Sequence, residues 1–92
     1  MIFSKNYLNS VYEWTPENKK SIFTGGPSRR PFNRLNGDQV LFIINYFLNS
    51  FEYWSVDDGK RIEQLIIDKL PFSTSSEITV FHWLQEKMVK VY

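Results

Sequence analysis

The densest run of hydrophobic residues lies in the middle of the chain and predicts an α-helix over residues 37–51. Asn36 precedes this helix as an N-cap, and Gln39 stands three residues further on, which is the spacing of a capping box. Apolar residues occur on every side of the predicted helix: Val40, Leu41, Phe42, Ile43, Ile44, Tyr46, Phe47, Leu48 and Phe51. Because a helix that is apolar on all sides is buried on all sides, we expect it to be the centre of the fold, or to lie partly in an oligomer interface.

A second helix is predicted over residues 56–69. Ser55 is its N-cap, and two acids, Asp57 and Asp58, occupy the first turn, where the helix dipole favours negative charge. Its apolar stripe consists of Ile62, Leu65 and Ile66, with the stem of Lys69 as a further member. The helix should end before Pro71, because the residue that precedes a proline avoids helical geometry.

A third helix is predicted over residues 75–89. Thr74 and Glu77 have capping-box spacing at its start. Apolar residues recur at steps of three and four along one face: Ile78, Phe81, Leu84, Met88 and Val91. Polar residues fall on the opposite face: Ser75, Thr79, His82, Glu86 and Lys90.

The aromatic-rich N-terminal segment allows two interpretations. Residues 4–13 fit a helix capped by Ser4, but the same aromatic and branched residues also suit a short strand. A further short helix could begin at Pro16 and end near Phe23. The expected fold is therefore a mainly α, single-domain bundle of three to four helices that spans residues 1–92, with a three-helix unit over 36–92.

Composition supports one small globular domain. The chain has 92 residues, of which 42% are hydrophobic and 17% aromatic, and this places it outside the disordered class. It contains no cysteine, which excludes disulfides, thiolate metal sites and a cysteine nucleophile. No apolar run reaches the roughly 20 residues of a membrane-spanning helix. We therefore expect a cytoplasmic protein without a membrane partner.

Charge is distributed unevenly along the chain. Residues 1–37 contain six Lys or Arg and two Asp or Glu, a net charge of +4, whereas residues 38–92 contain five bases and eight acids, a net charge of −3. The two parts could attract each other, or the basic part could face an acidic partner.

The segment TGGPSRRPFNR, residues 24–34, contains four of the candidate binding residues. It does not match a phosphate-binding loop, which needs a Lys and a Ser or Thr after its second conserved glycine. Two interpretations are open. The segment is a connector whose arginines pair with the acidic helices, by docking onto the surface of the second helix at Asp57, Asp58, Glu63 or Asp68. Alternatively, it is an arm that binds a partner through Arg29, Arg30, Phe32 and Arg34.

Candidate catalytic chemistry is sparse. His82 is the single histidine, and its nearest partner is Glu86, one turn further along the predicted solvent face. No second histidine or cysteine is available to complete a metal site. We therefore predict no catalytic residues, no metal and no cofactor.

The function expected by elimination is that of a non-enzymatic interaction protein, an adaptor, inhibitor or self-associating module, which binds a protein partner or a second copy of itself. Beside the arm, the candidate contacts are Tyr46, Phe51, Tyr53 and Trp54. The alternative is a small DNA- or RNA-binding regulator. It would use the arm residues 29–34, with Arg29, Arg30 and Arg34, and the helix over 75–89, with Thr79, His82 and Gln85.

Overall fold

The computed structural model describes residues 3–14, 25–51, 55–74 and 76–88. In these residues the chain forms three α-helices: α1, Gly37–Ser50; α2, Val56–Asp68; and α3, Glu77–Met88. Among the described residues, a 3-10 turn, Lys5–Tyr7, precedes them, and the β-pairing consists of two isolated bridges. The mainly α class is confirmed.

The predicted N-caps of α1 and α2 are present. The Asn36 side chain accepts a hydrogen bond from the Gln39 amide, and the Ser55 side chain accepts one from the Asp58 amide. At α2 the Asp58 carboxylate also accepts from the Ser55 backbone, which completes a capping box. At α1 the Gln39 side chain does not accept a bond from the Asn36 amide, as a capping box would require. It is buried and forms hydrogen bonds with Asn33, Pro31 and Glu77 instead.

The start of α3 differs from the prediction. The helix begins at Glu77, and the Ser76 hydroxyl, rather than Thr74, accepts from the amide of Thr79. The Glu77 side chain is fully buried, so it belongs to the inner face of the helix. The buried stripe is consequently Glu77, Val80, Leu84 and Met88, whereas Ile78, predicted to point inward, is 39% exposed.

The core is formed by all three helices, by Phe3 from the N-terminal segment and by Leu70, which follows α2. Its fully buried members on the helices include Val40, Ile43, Ile44 and Phe47 from α1, Ile62 and Ile66 from α2, and Val80 and Leu84 from α3. The three helices all pack against one another, and α1 contributes more buried hydrophobic residues to the core than either other helix. It is not covered on every side, because Tyr46, Asn49 and Ser50 remain exposed.

The N-terminal segment follows neither predicted form along its length. Ser4 caps only the turn Lys5–Tyr7, after which the described chain runs on to a single parallel bridge between Glu13 and Asn36. Tertiary contacts explain why a helix does not continue. The amides of Asn9 and Ser10 both donate to the carboxylate of Glu63 on α2, and they are therefore not available for helical bonds. The short helix predicted from Pro16 lies outside the described residues.

Within the described residues, none of the helices combines the length and the hydrophobicity required to cross a membrane.

Gly59 gives Phe3 the room to enter the core. A Cβ atom at Gly59 would lie 2.2 Å from Phe3 Cδ2, inside van der Waals contact. Alanine is normally better than glycine in a helix by about 1 kcal/mol, but displacing a buried ring costs about 1–3 kcal/mol. We therefore expect Gly59→Ala to lower the free energy of unfolding in denaturant melts, and to cost less in a Phe3→Leu background. A more stable Gly59→Ala single variant would contradict this packing.

Candidate interaction surface

Arg30 and Glu77 attach the arginine segment to the start of α3. The guanidinium donates two parallel bonds to the carboxylate, from Nε at 2.7 Å and from Nη2 at 2.9 Å. Backbone bonds reinforce the contact, since the amides of Glu77 and Ile78 donate to the carbonyls of Arg30 and Ser28. These amides belong to the first turn of α3, whose donors have no partner within the helix. The segment thus satisfies the helix terminus as well as the carboxylate.

Gln39 connects this ion pair to α1. Its Nε2 donates to Glu77 Oε2 and to the Pro31 carbonyl, each at 2.8 Å, and its Oε1 accepts from the Asn33 amide at 2.7 Å. Burial by itself raises the pKa of Glu77, but hydrogen bonds from Arg30, Gln39 and the Ser28 amide, with the charge of Arg30, outweigh it. The pKa of Glu77 therefore lies below its usual value, and the carboxylate stays charged inside the fold.

Arg34 closes the C-terminal end of α2. Its Nη1 donates to the carbonyls of Ile66 and Leu70 at 3.2 and 3.0 Å, and its Nη2 donates to the Pro71 carbonyl at 3.2 Å. A cation is favoured here because helix carbonyls at this end lack partners and carry partial negative charge. The guanidinium also lies over the ring of Phe72, with 4.5 Å between its carbon and the ring centre.

Arg30 and Arg34 therefore form their hydrogen bonds within the chain, as the connector interpretation expects. Their partners differ from those expected, because Arg30 binds α3 and Arg34 binds carbonyls, rather than the acids of α2. Arg29 is exposed.

Glu63, expected on the acidic surface of α2, is buried and anchors the N-terminal segment. Its carboxylate accepts from the amides of Asn9 and Ser10 and, at 2.6 Å, from the Tyr12 hydroxyl. Burial, the hydrogen bond to Glu63 and the charge of Glu63 all raise the pKa of Tyr12. Between these anchored residues, Val11 is 95% exposed.

Two grooves adjoin each other on the surface near Arg34. One has a volume of about 400 Å³ and is lined by Phe32, Asn33, Arg34, Leu35, Phe72 and Thr74. The other has a volume of about 320 Å³ and is lined by Ser10, Val11, Tyr12, Arg34, Leu35 and Ile67. We call the two grooves and their rims the Arg34 face. Arg34 and Leu35 line both grooves, so the grooves form one continuous surface.

Large hydrophobic side chains are exposed around the Arg34 face. Phe72 is 91% exposed and Leu35 56%, while Ile67 is 37% exposed. With Val11, these residues surround the grooves with apolar surface. Contiguous exposed hydrophobic surface of this kind is typical of interaction sites.

The predicted contact residues are found in different places. Arg34 and Phe32 line the Arg34 face, and Phe32 is half-buried. Tyr46 and Phe51 are instead engaged by Phe81 of α3, with ring centres 5.5 and 5.7 Å apart respectively. Tyr53 and Trp54 lie outside the described residues. On α3, Thr79 and His82 are exposed and Gln85 is half-exposed.

Val11, Leu35 and Phe72 are not among the contacts that the sequence predicts. A signal is present for Phe72, which follows Pro71 and belongs to no helical stripe. Leu35 has the position of a residue that packs onto α1, but its exposure places most of its side chain in solvent.

In the described parts of the chain, no group of three or more His, Cys, Asp or Glu side chains is placed to hold a metal ion. Every buried side-chain nitrogen and oxygen atom there has a hydrogen-bond partner. The buried polar side chains of the described residues therefore form their hydrogen bonds within the fold.

Comparison with known proteins adds no assignment, because no family model, curated protein sequence or solved structure matches this chain.

Proposed function

We propose that this chain is a non-catalytic, intracellular interaction protein that binds a protein partner through the Arg34 face. The observation that carries the proposal is the clustering of four exposed hydrophobic side chains around two connected grooves. Single exposed hydrophobic residues are common on protein surfaces and need no explanation. A group of them bordering concave surface is the arrangement that a partner would cover.

The area of the face supports a protein partner. Side chains of this size present roughly 150–200 Å² each, so the exposed fractions of Val11, Leu35, Ile67 and Phe72 amount to about 420–560 Å² of apolar surface. A standard interface takes about 800 Å² from each partner, of which somewhat more than half is apolar. The exposed apolar surface is therefore about what one side of a standard interface contains.

The face is also held in place before binding. Glu13 donates its amide to the Leu35 carbonyl and accepts from the Gly37 amide, each at 2.7 Å. Arg34 is held by three carbonyls at the end of α2. A site whose backbone is already ordered loses less conformational entropy when a partner binds, which favours affinity.

The nucleic-acid alternative receives less support from the geometry. Arg30 and Arg34 donate hydrogen bonds to groups of the same chain, whereas contacts with phosphate need basic side chains that extend into solvent. This alternative stays a prediction, and it relies chiefly on exposed Arg29, Thr79 and His82.

Site-specific photo-crosslinking in the native host tests the proposal. Phe72 is replaced by benzoyl-phenylalanine, which keeps its phenyl ring, and the matched control has the same analogue at His82, an exposed position of α3. We expect discrete protein adducts from position 72 and none of the same mass from position 82. Equal labelling from both positions, or adducts removed by nuclease, would contradict the proposal.

A further inference from the structure

The Arg34 face contains protruding and concave features of the same chemistry. Val11 and Phe72 protrude, with 95% and 91% of their surface exposed. Phe72 borders the first groove and Val11 the second, and the groove linings also include the apolar side chains of Leu35 and Ile67. A surface that carries both a protrusion and a groove able to receive it is self-complementary.

A self-complementary surface can bind a second copy of the same chain. In a two-fold symmetric interface, if residue i of one copy contacts residue j of the other, then j also contacts i, so each copy supplies both features. We propose that the partner on the Arg34 face is a second copy of this chain. In this dimer, Phe72 of each copy enters the groove lined by Val11, Tyr12 and Ile67 of the other. The inference rests on the proposed function, because it assigns an occupant to the same surface.

The geometry of Phe72 suits this role. The carbon of the Arg34 guanidinium lies 4.5 Å from the centre of the Phe72 ring, and the residue is still 91% exposed. Arg34 thus contacts the ring and leaves nearly all of its surface for a partner. Exposed aromatic side chains that enter a groove are the residues that contribute most to interface affinity.

Electrostatics permits the contact between two copies. Each copy brings the positive charge of Arg34 to the interface, but the carbonyls of Ile66, Leu70 and Pro71 at the negative end of α2 offset it. The net charge of the chain is only +1, so general repulsion between copies is small. Because apolar burial drives the contact, raising the salt concentration should not weaken it.

Sedimentation equilibrium over about 10–500 μM tests the association, since micromolar affinity is within reach of an interface of this size. We expect a monomer–dimer equilibrium in the wild type and at least about 30-fold weaker dimerisation for Ile67→Lys. Ile78→Lys is the matched control, because Ile78 is 39% exposed, close to the 37% of Ile67, but lies outside both grooves. The control should dimerise like the wild type. Equal effects of the two substitutions, or a wild type that stays monomeric, would overturn the proposal.

Cysteine crosslinking tests the arrangement without a destabilising substitution. The chain has no cysteine, and positions 11 and 72 are almost fully exposed, so Val11→Cys and Phe72→Cys should keep the fold. The two single variants are mixed and oxidised with copper phenanthroline. We expect a disulfide-linked dimer that contains one copy of each, in higher yield than from Val11→Cys mixed with Ile78→Cys. Equal yields would overturn the arrangement.

The two proposals fail in distinguishable ways. A monomer that still forms a discrete adduct with a different protein from position 72 retains the proposed function and overturns the dimer. A monomer without such adducts contradicts both.

Discussion

Arg30→Gln is expected to lower the free energy of unfolding by about 2–4 kcal/mol, because it leaves the Glu77 carboxylate buried without its charged partner. The full cost of breaking a buried pair is reduced in this protein, since 25% of the Arg30 side chain is exposed to water. Arg29→Gln is the matched control, the same change one residue earlier at an exposed position, and it should cost less than about 0.5 kcal/mol. Urea melts of both variants measure the difference.

The pH dependence of the same melts identifies the charge that is responsible. The pKa of Glu77 is lowered in the folded state, so its contribution to stability is fully present above the unfolded value of 4.5. That contribution is lost as the pH falls through the lower, folded pKa. In Arg30→Gln the stabilising partner is absent, so we expect a smaller loss of stability on acidification than in the wild type and in Arg29→Gln.

A double-mutant cycle measures the interaction energy between Arg30 and Glu77 separately from the effect of each single substitution. Glu77→Gln removes the buried charge, so Arg30→Gln should cost less in that background than in the wild type, because no carboxylate is left unpaired. If Arg29→Gln and Arg30→Gln cost the same, and their acid profiles coincide, the ion pair does not stabilise the fold.

The helices could be predicted because their signals are local. Ser55 and Asn36 cap helices whose apolar spacing begins a few residues later, and Pro71 follows the end of α2. These signals depend on neighbours within one or two turns, so they act in the same way in any fold. The predicted bounds of α1 and α2 accordingly agree with the observed ones to within one residue at each end.

The contacts that arrange the surface could not be predicted, because their partners are distant in the sequence. Arg30 and Glu77 are 47 residues apart, and the Tyr12 hydroxyl and Glu63 are 51 residues apart. Local pattern assigns Glu77 to helix capping and Glu63 to the solvent face of α2. Both assignments are wrong. A carboxylate can be buried when other segments of the chain donate hydrogen bonds to it. The periodicity of a helix carries no information about those distant donors.

The Arg34 face illustrates the same limit for the proposed interaction surface. Leu35 precedes an N-cap, and this position predicts that it packs back onto α1, where Val40 is fully buried. Arg34 and the bond from Glu13 to the Leu35 carbonyl instead hold the backbone so that Leu35 is mostly exposed. Exposure depends on the tertiary path of the loop, so periodicity alone could not distinguish a core leucine from an exposed leucine.

Phe47→Ala is expected to lower the free energy of unfolding by about 3–5 kcal/mol, more than the loss of the Arg30 charge. Phe47 is fully buried in α1, and its ring centre lies 4.7 Å from that of Phe51 and 5.6 Å from that of Phe81. Removing the ring leaves a cavity between α1 and α3 that the aromatic neighbours cannot fill without moving. A domain of this size has a total stability of only about 5–15 kcal/mol, so a large part would be lost.

Phe72→Ala is the matched control, because it deletes the same ring from a position that is 91% exposed. Only its contact with Arg34 is lost, so the expected cost is below about 1 kcal/mol. Both variants should be melted at a concentration well below the dissociation constant for dimerisation, which keeps association out of the comparison. If Phe47→Ala cost less than about 1 kcal/mol, the ring could not be part of a close-packed core, and the central position of α1 would be contradicted. If Phe72→Ala instead cost as much as Phe47→Ala, the Phe72 ring would have to be buried in solution, and the Arg34 face would not be open to a partner.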